Sequence, residues 1–113
     1  MQYLLLIYEN ESGRQNIDRK KVMEDYGTFT KSIIDSGNFK GGDGLQPTST
    51  ATTVRVKNGK PVTTHGPFAE TREALIGYYA IEAKDLDQAL TIAARVPSAK
   101  VGAVEVRPVM VYN

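Results

Sequence analysis

At 113 residues the chain has one domain's length, so a single domain over residues 1–113 is expected, burying roughly two-thirds of its unfolded surface around one core. Apolar residues make up 41% and charged residues 24%, ordinary for a soluble globular protein. Fourteen basic against thirteen acidic side chains leave a charge of +1 with no basic block, and cysteine is absent; this excludes the footprint of a nucleic-acid binder, disulfides, thiolate metal sites and a cysteine nucleophile.

Tyr3 to Tyr8 is a continuous run rich in Leu and Ile. Apolarity on both faces predicts a central strand, covered on both sides. The run is far short of the roughly 20 residues of a membrane helix. No basic leader or small-residue cleavage site accompanies it, so a cytoplasmic protein with no membrane partner is expected. After a turn cluster at Asn10 to Gly13 the period changes. Val22, Met23, Tyr26, Phe29, Ile33 and Ile34 recur at spacings of three and four, the stripe of an amphipathic helix. Asn16 or Asp18 caps its start, and Gly37-Asn38 stops it. Phe39 to Leu45 carries Gly41, Gly42 and Gly44 and reads as a bulged strand running into a loop.

Thr52 to Lys57 alternates Thr52, Val54 and Val56 with Thr53, Arg55 and Lys57, which predicts a strand with one packed face and one wet face. Asn58-Gly59 suits the positive φ angles of a two-residue type I′ hairpin. Pro61 cannot donate to a ladder, so the hairpin belongs at or beyond a sheet edge. His65, the only histidine, follows in a Gly-Pro loop, and Glu70 and Glu73 are candidates for the first turn of a short helix. Ile76 to Ala83 is a further strand, with Tyr78 and Tyr79 on opposite faces. Asp85 and Gln88 have the spacing of a capping box. They open a helix whose Leu86, Ala89, Leu90, Ala93 and Val96 share a face, stopped by Pro97. Ala103 to Val109 closes the chain as a strand, Val104 and Val106 opposite Glu105 and Arg107, and Pro108 favours an edge.

This order predicts an α+β protein, a ferredoxin-like βαββαβ fold with an inserted β-hairpin and an antiparallel sheet carrying two helices on one face. Two helices cover only one face, yet Tyr3 to Tyr8 and Ile76 to Ala83 are apolar or aromatic on both. The second face needs a partner, and a second copy of the chain is expected there, making a homodimer.

The blocks Tyr3-Leu4-Leu5-Leu6-Ile7-Tyr8, Gly42-Asp43-Gly44-Leu45, Ala51-Thr52-Thr53-Val54-Arg55-Val56, His65-Gly66-Pro67-Phe68-Ala69-Glu70-Thr71, Gly77-Tyr78-Tyr79 and Val104-Glu105-Val106-Arg107-Pro108 together resemble the YCII-related, DGPF-domain family of small bacterial proteins. The resemblance runs over nearly the whole chain. It implies a dimeric α+β barrel in which two sheets face one another around a cavity, and in some members a link to extracytoplasmic-function sigma factors. One position departs from the pattern: the family's namesake Asp is His65 here.

His65 is the default acid–base candidate, because only its ordinary pKa lies near neutrality; the plainer reading leaves it an occupant of a Gly-Pro loop. Asp43 sits between glycines, where a carboxylate either points into the cavity or serves a turn. Glu70 lies inside a matched block, while Glu73 reads as a solvated residue. Arg107 either binds an anionic ligand or pairs with Glu105, which shares its face by the period of two. Tyr78 is a candidate to orient substrate. Gly41-Gly42-Asp43-Gly44 is neither a dinucleotide fingerprint nor a phosphate loop. One histidine makes no histidine-rich metal site, and haem would have only the loop residue His65 as an ordinary axial ligand, so no metal or cofactor is expected.

Two functions compete. In the first, a cofactor-free enzyme acts on a small polar metabolite in the cavity of the dimer; Asp43, His65 and Glu70 move protons while Tyr78 and Arg107 bind substrate. In the second, the chain is a non-catalytic ligand-binding or protein-interaction module, an accessory to sigma-factor-dependent transcription, with the loop between Gly59 and Leu75 as its recognition surface. Converging titratable groups mark the first, and an exposed apolar patch marks the second.

Overall fold

The computed structural model describes residues 1–14 and 16–112. The apolar N-terminal run forms β1 (Gln2–Glu9). It is followed by α1 (Arg19–Asp35), β2 (Phe39–Gly44), β3 (Thr52–Lys57), β4 (Lys60–His65), β5 (Ala74–Glu82), α2 (Leu86–Ala94) and β6 (Ala103–Pro108). Short 3-10 turns occupy Glu11–Arg14, Thr48–Thr50 and Pro97–Lys100. Four strands join in the order β2-β5-β1-β6, every neighbour antiparallel. The two strands with apolar residues on both faces are the central ones, and the strand ending in Pro108 is an edge. This is the α+β, ferredoxin-like arrangement.

Local chemistry sets the helix ends. Asp18 caps α1 by accepting from the Lys21 amide at 3.2 Å. At the other end Gly37 adopts φ +80°. The Asn38 amide returns to the Ile33 carbonyl and the Gly37 amide to that of Ile34, a Schellman closure that needs the left-handed residue. Asp85 caps α2 through the Gln88 amide at 2.9 Å. The Gln88 side chain reaches past the cap to accept from the Lys84 amide at 2.8 Å.

The strand pleat turns Tyr3, Leu5, Ile7, Tyr79 and Ile81 toward the helices, where they meet Phe29 and Ile33 of α1 and Ala89, Ile92 and Ala93 of α2. Phe29 meets the Tyr79 ring edge-on at 5.2 Å between centroids. The helix stripes sit differently from the expectation. Met23 is 75% exposed and Ile34 53%, since α1 is buried only at Phe29 and Ile33. Leu86 and Leu90 are exposed, and Ile92 joins Ala89, Ala93 and Val96 in the core instead. The small alanines set the line of closest approach, which tips both leucines outward.

β3 and β4 form a separate two-stranded sheet, turned at Asn58 (φ 52°) and Gly59 (φ 77°). Its expected packed face is uncovered: Val54 and Val56 are exposed. Glu70 and Glu73 do not start a helix; residues 67–73 form bends and irregular chain, and the Thr71 hydroxyl donates to the Glu73 carbonyl. No helix among the described residues is long and apolar enough to cross a membrane.

The molecule is flat, 47 × 46 × 18 Å, with a radius of gyration of 16.0 Å; a compact chain of this length has about 13 Å. It exposes 8242 Å², against about 6,100 Å² expected for a compact monomer of this mass. The excess belongs to a sheet with one bare face, the hairpin and the apolar tail Val109 to Tyr112.

Candidate functional site

The bare face is built by alternation. Because Tyr3, Leu5, Ile7 and Tyr79 face the helices, Leu4, Leu6, Tyr8, Tyr78 and Ala80 face the other way. The ladder pairs Leu4 with Ala80 and Leu6 with Tyr78, giving an apolar centre. On β2, Asp43 is paired with Tyr78, and the Tyr78 hydroxyl donates to Asp43 Oδ2 at 2.6 Å. The hydrogen bond to Asp43, then its negative charge, raise the Tyr78 pKa above the ordinary tyrosine value. Such a phenol keeps its proton and acts as a donor, leaving the carboxylate as the acceptor.

Arg107 lies on the same face at the opposite edge, where its Nε donates to Glu105 Oε2 at 2.8 Å. Three strand spacings, about 14 Å, separate that edge from β2. His65 ends β4 opposite Thr52 and is exposed, as is Glu70 in the following loop. That loop folds back on the hairpin: the Gly66 amide donates to the Ala51 carbonyl, and Arg55 stacks over the Phe68 ring at 5.2 Å. The structure therefore brings Asp43 and Tyr78 together, and Arg107 with Glu105. His65 and Glu70 belong to the hairpin, outside the four-stranded sheet. Among the described residues no three His, Asp or Glu side chains gather as a metal ion would require.

A second polar cluster lies under the helices, and sequence reasoning missed it. Ser98 is buried; its hydroxyl donates to Glu9 Oε2, and its single proton being so used, Tyr26 donates to Ser98. Arg14 Nη1 approaches the same Glu9 oxygen at 3.0 Å. Tyr26 stacks on Tyr79, 6.5 Å between centroids and 9° between planes, and the Tyr79 hydroxyl bonds Thr30 Oγ1 at 2.6 Å. Burial raises the Tyr26 pKa, opposed in part by the Ser98 bond. Glu9 at the end of an apolar strand and Ser98 after a proline carry no motif. Tyr26 and Tyr79 were visible only as apolar positions.

The YCII-related domain matches over residues 1–113. An uncharacterised protein of Rhizobium meliloti is 34% identical over 118 residues, covering 100% of this chain and 95% of that protein. The chain belongs to the YCII-related domain family.

Proposed function

We propose that this YCII-related chain works in the cytoplasm as a homodimer closed over the bare sheet face. There it takes a small polar metabolite between the sheets and acts on it by acid–base chemistry without a cofactor. The Tyr78–Asp43 hydrogen bond carries the reading: a carboxylate and a phenol are held together at the rim of an apolar face. Asp43 takes the substrate proton through the oxygen that Tyr78 leaves free, and protonated Tyr78 holds the carboxylate in place. Arg107 is too far along the sheet to meet that pair within one chain, so it orients an anionic group from the second copy. His65 at the end of β4 and Glu70 in the loop after it supply further proton-transfer groups from outside the four-stranded sheet.

The surface supports the assembly. Each chain exposes 8242 Å², about 2,100 Å² beyond a compact monomer, and two such excesses fall within the roughly 2,000–5,000 Å² buried by obligate homodimers. Sedimentation at micromolar concentration is expected to give twice the 12.4 kDa chain mass. Leu6→Arg should give the single-chain mass, and a single-chain wild type overturns the dimer. A thermal-shift screen of small polar metabolites tests the chemistry separately. A compound that stabilises wild type but not Asp43→Asn supports the site; hits indifferent to Asp43→Asn and Tyr78→Phe remove it.

One observation favours the other reading, a protein-interaction module serving sigma-factor-dependent transcription: Val54 and Val56 leave one face of the hairpin with exposed apolar side chains. A dimer in which those residues stay accessible, with no metabolite bound at Asp43, points to that function.

A further inference from the structure

On the helix side of the sheet, opposite the Asp43–Tyr78 pair, three glycines face α1. Gly42 pairs with Tyr79 and Gly44 with Gly77, and Tyr79 and Ile7, the β1 partner of Gly77, point into the core. The missing side chains open a cavity of about 540 Å³ between α1 and the β2–β5 ladder, within the range of small-molecule sites. Asp43 and Tyr78 border it with strand backbone, their side chains being turned to the other face.

The three glycines are not equivalent. A Cβ at Gly42 would lie 2.8 Å from the Tyr78 carbonyl and the Tyr79 ring, and one at Gly77 would lie 3.0 Å from the Asp43 carbonyl. A Cβ at Gly44 would meet nothing within 4 Å, and no positive φ requires glycine there. Strand propensity favours a β-branched residue at such a position. Sterics therefore account for Gly42 and Gly77, while Gly44 keeps space open.

The walls define what fits the space. Tyr26 and Tyr79, stacked in parallel, and Phe39 present aromatic surface, suited to a flat ring. Arg14 lines the cavity. Glu9 engages its Nη1, and a guanidinium has five N–H donors, so donors remain for an anion. Met23, exposed on α1, also lines it. We propose that this cavity is a binding site for a planar aromatic carboxylate, its ring against Tyr26 and Tyr79 and its carboxylate on Arg14.

The test is titration with 2-naphthoate followed by amide NMR. Saturable binding is expected at one molecule per chain, with shifts concentrated at Gly42, Gly44, Gly77 and Thr30. Gly44→Val adds its Cβ in open space, narrows the cavity, and should weaken binding at least tenfold with an unchanged melting temperature. Met23→Glu places a carboxylate in the cavity wall and should weaken 2-naphthoate severalfold more than neutral 2-naphthol. Arg14→Gln should cost about tenfold, the loss of one charge-assisted contact. The proposal is overturned by no saturable binding, by binding that Gly44→Val leaves intact, or by shifts centred on Leu4 and Leu6. Equal affinity for 2-naphthol overturns the role of Arg14. The Asp43–Tyr78 pair is altered in none of these variants, so failure here leaves the bare-face reading untouched.

Discussion

Gly42 lies directly across the ladder from Tyr79, and the Tyr79 ring fills the space that a side chain at 42 would need. The ring cannot move freely, since Phe29, Phe39 and Tyr26 all pack on it. Gly42→Ala is expected to destabilise the fold by about 1–3 kcal/mol, the cost of overpacking. Gly44→Ala, two residues along the same strand, should be neutral or slightly stabilising, because alanine narrows the unfolded ensemble at no steric cost. Urea denaturation of the two variants checks the contrast.

Ser98 is the hub of the polar cluster beneath the helices. Ser98→Ala leaves both Glu9 and the Tyr26 hydroxyl short of a partner, and should cost about 1–3 kcal/mol. Tyr26→Phe removes a donor from a hydroxyl that keeps its bond to Glu9, so a loss of about 1 kcal/mol is expected. Thermal unfolding should rank Ser98→Ala below Tyr26→Phe, and the reverse order would show that Tyr26 carries the cluster.

Glu11 ties the segment after β2 to the end of β1, accepting from the Thr48 amide at 2.9 Å and from its hydroxyl. Those bonds, with Arg14 nearby, hold its carboxyl below the ordinary glutamate pKa, burial opposing them weakly. A lowered folded-state pKa gives stability that is complete above the unfolded value and lost as pH falls through the lowered one. Solvent screening keeps the effect on the order of 0.5 kcal/mol. The Thr48 amide resonance should therefore move on acidification below the normal glutamate range, and Glu11→Gln should abolish that transition.

The hairpin has its own ladder, so its turn can be weakened separately from the core. Gly59 sits at φ +77°, and Gly59→Val should cost about 1–2 kcal/mol locally. Two-stranded hairpins are marginal alone. Hydrogen exchange should show lost protection between Thr52 and His65 while Leu5 and Ile81 exchange as before.

The strands were legible in the sequence because period-two patterns and turn residues act locally. Asn58-Gly59, Pro61 and Gly37 each require a particular backbone, and each stands where that requirement predicts. The helix faces were less legible. Met23 and Leu90 fit a stripe as well as the buried residues do, and only the docking line of each helix on the sheet decides which are covered. The Asp43–Tyr78 pair depends on strand register across 35 residues, and the Glu9–Ser98 bond on a separation of 89. No local pattern encodes either distance. His65 drew notice as the sole histidine and as the occupant of the family's namesake Asp position, and neither says where β4 lies relative to the main sheet.

None of the hairpin's strand hydrogen bonds reaches the four-stranded sheet. It joins the rest of the chain through two connecting segments, 45–51 and 66–73, one of them tethered by Glu11. Mechanically this is a paddle on a double strap. The Gly66–Ala51 bond and the Arg55–Phe68 contact fasten both straps to the ladder, so any displacement of the hairpin would carry His65 and Phe68 with it.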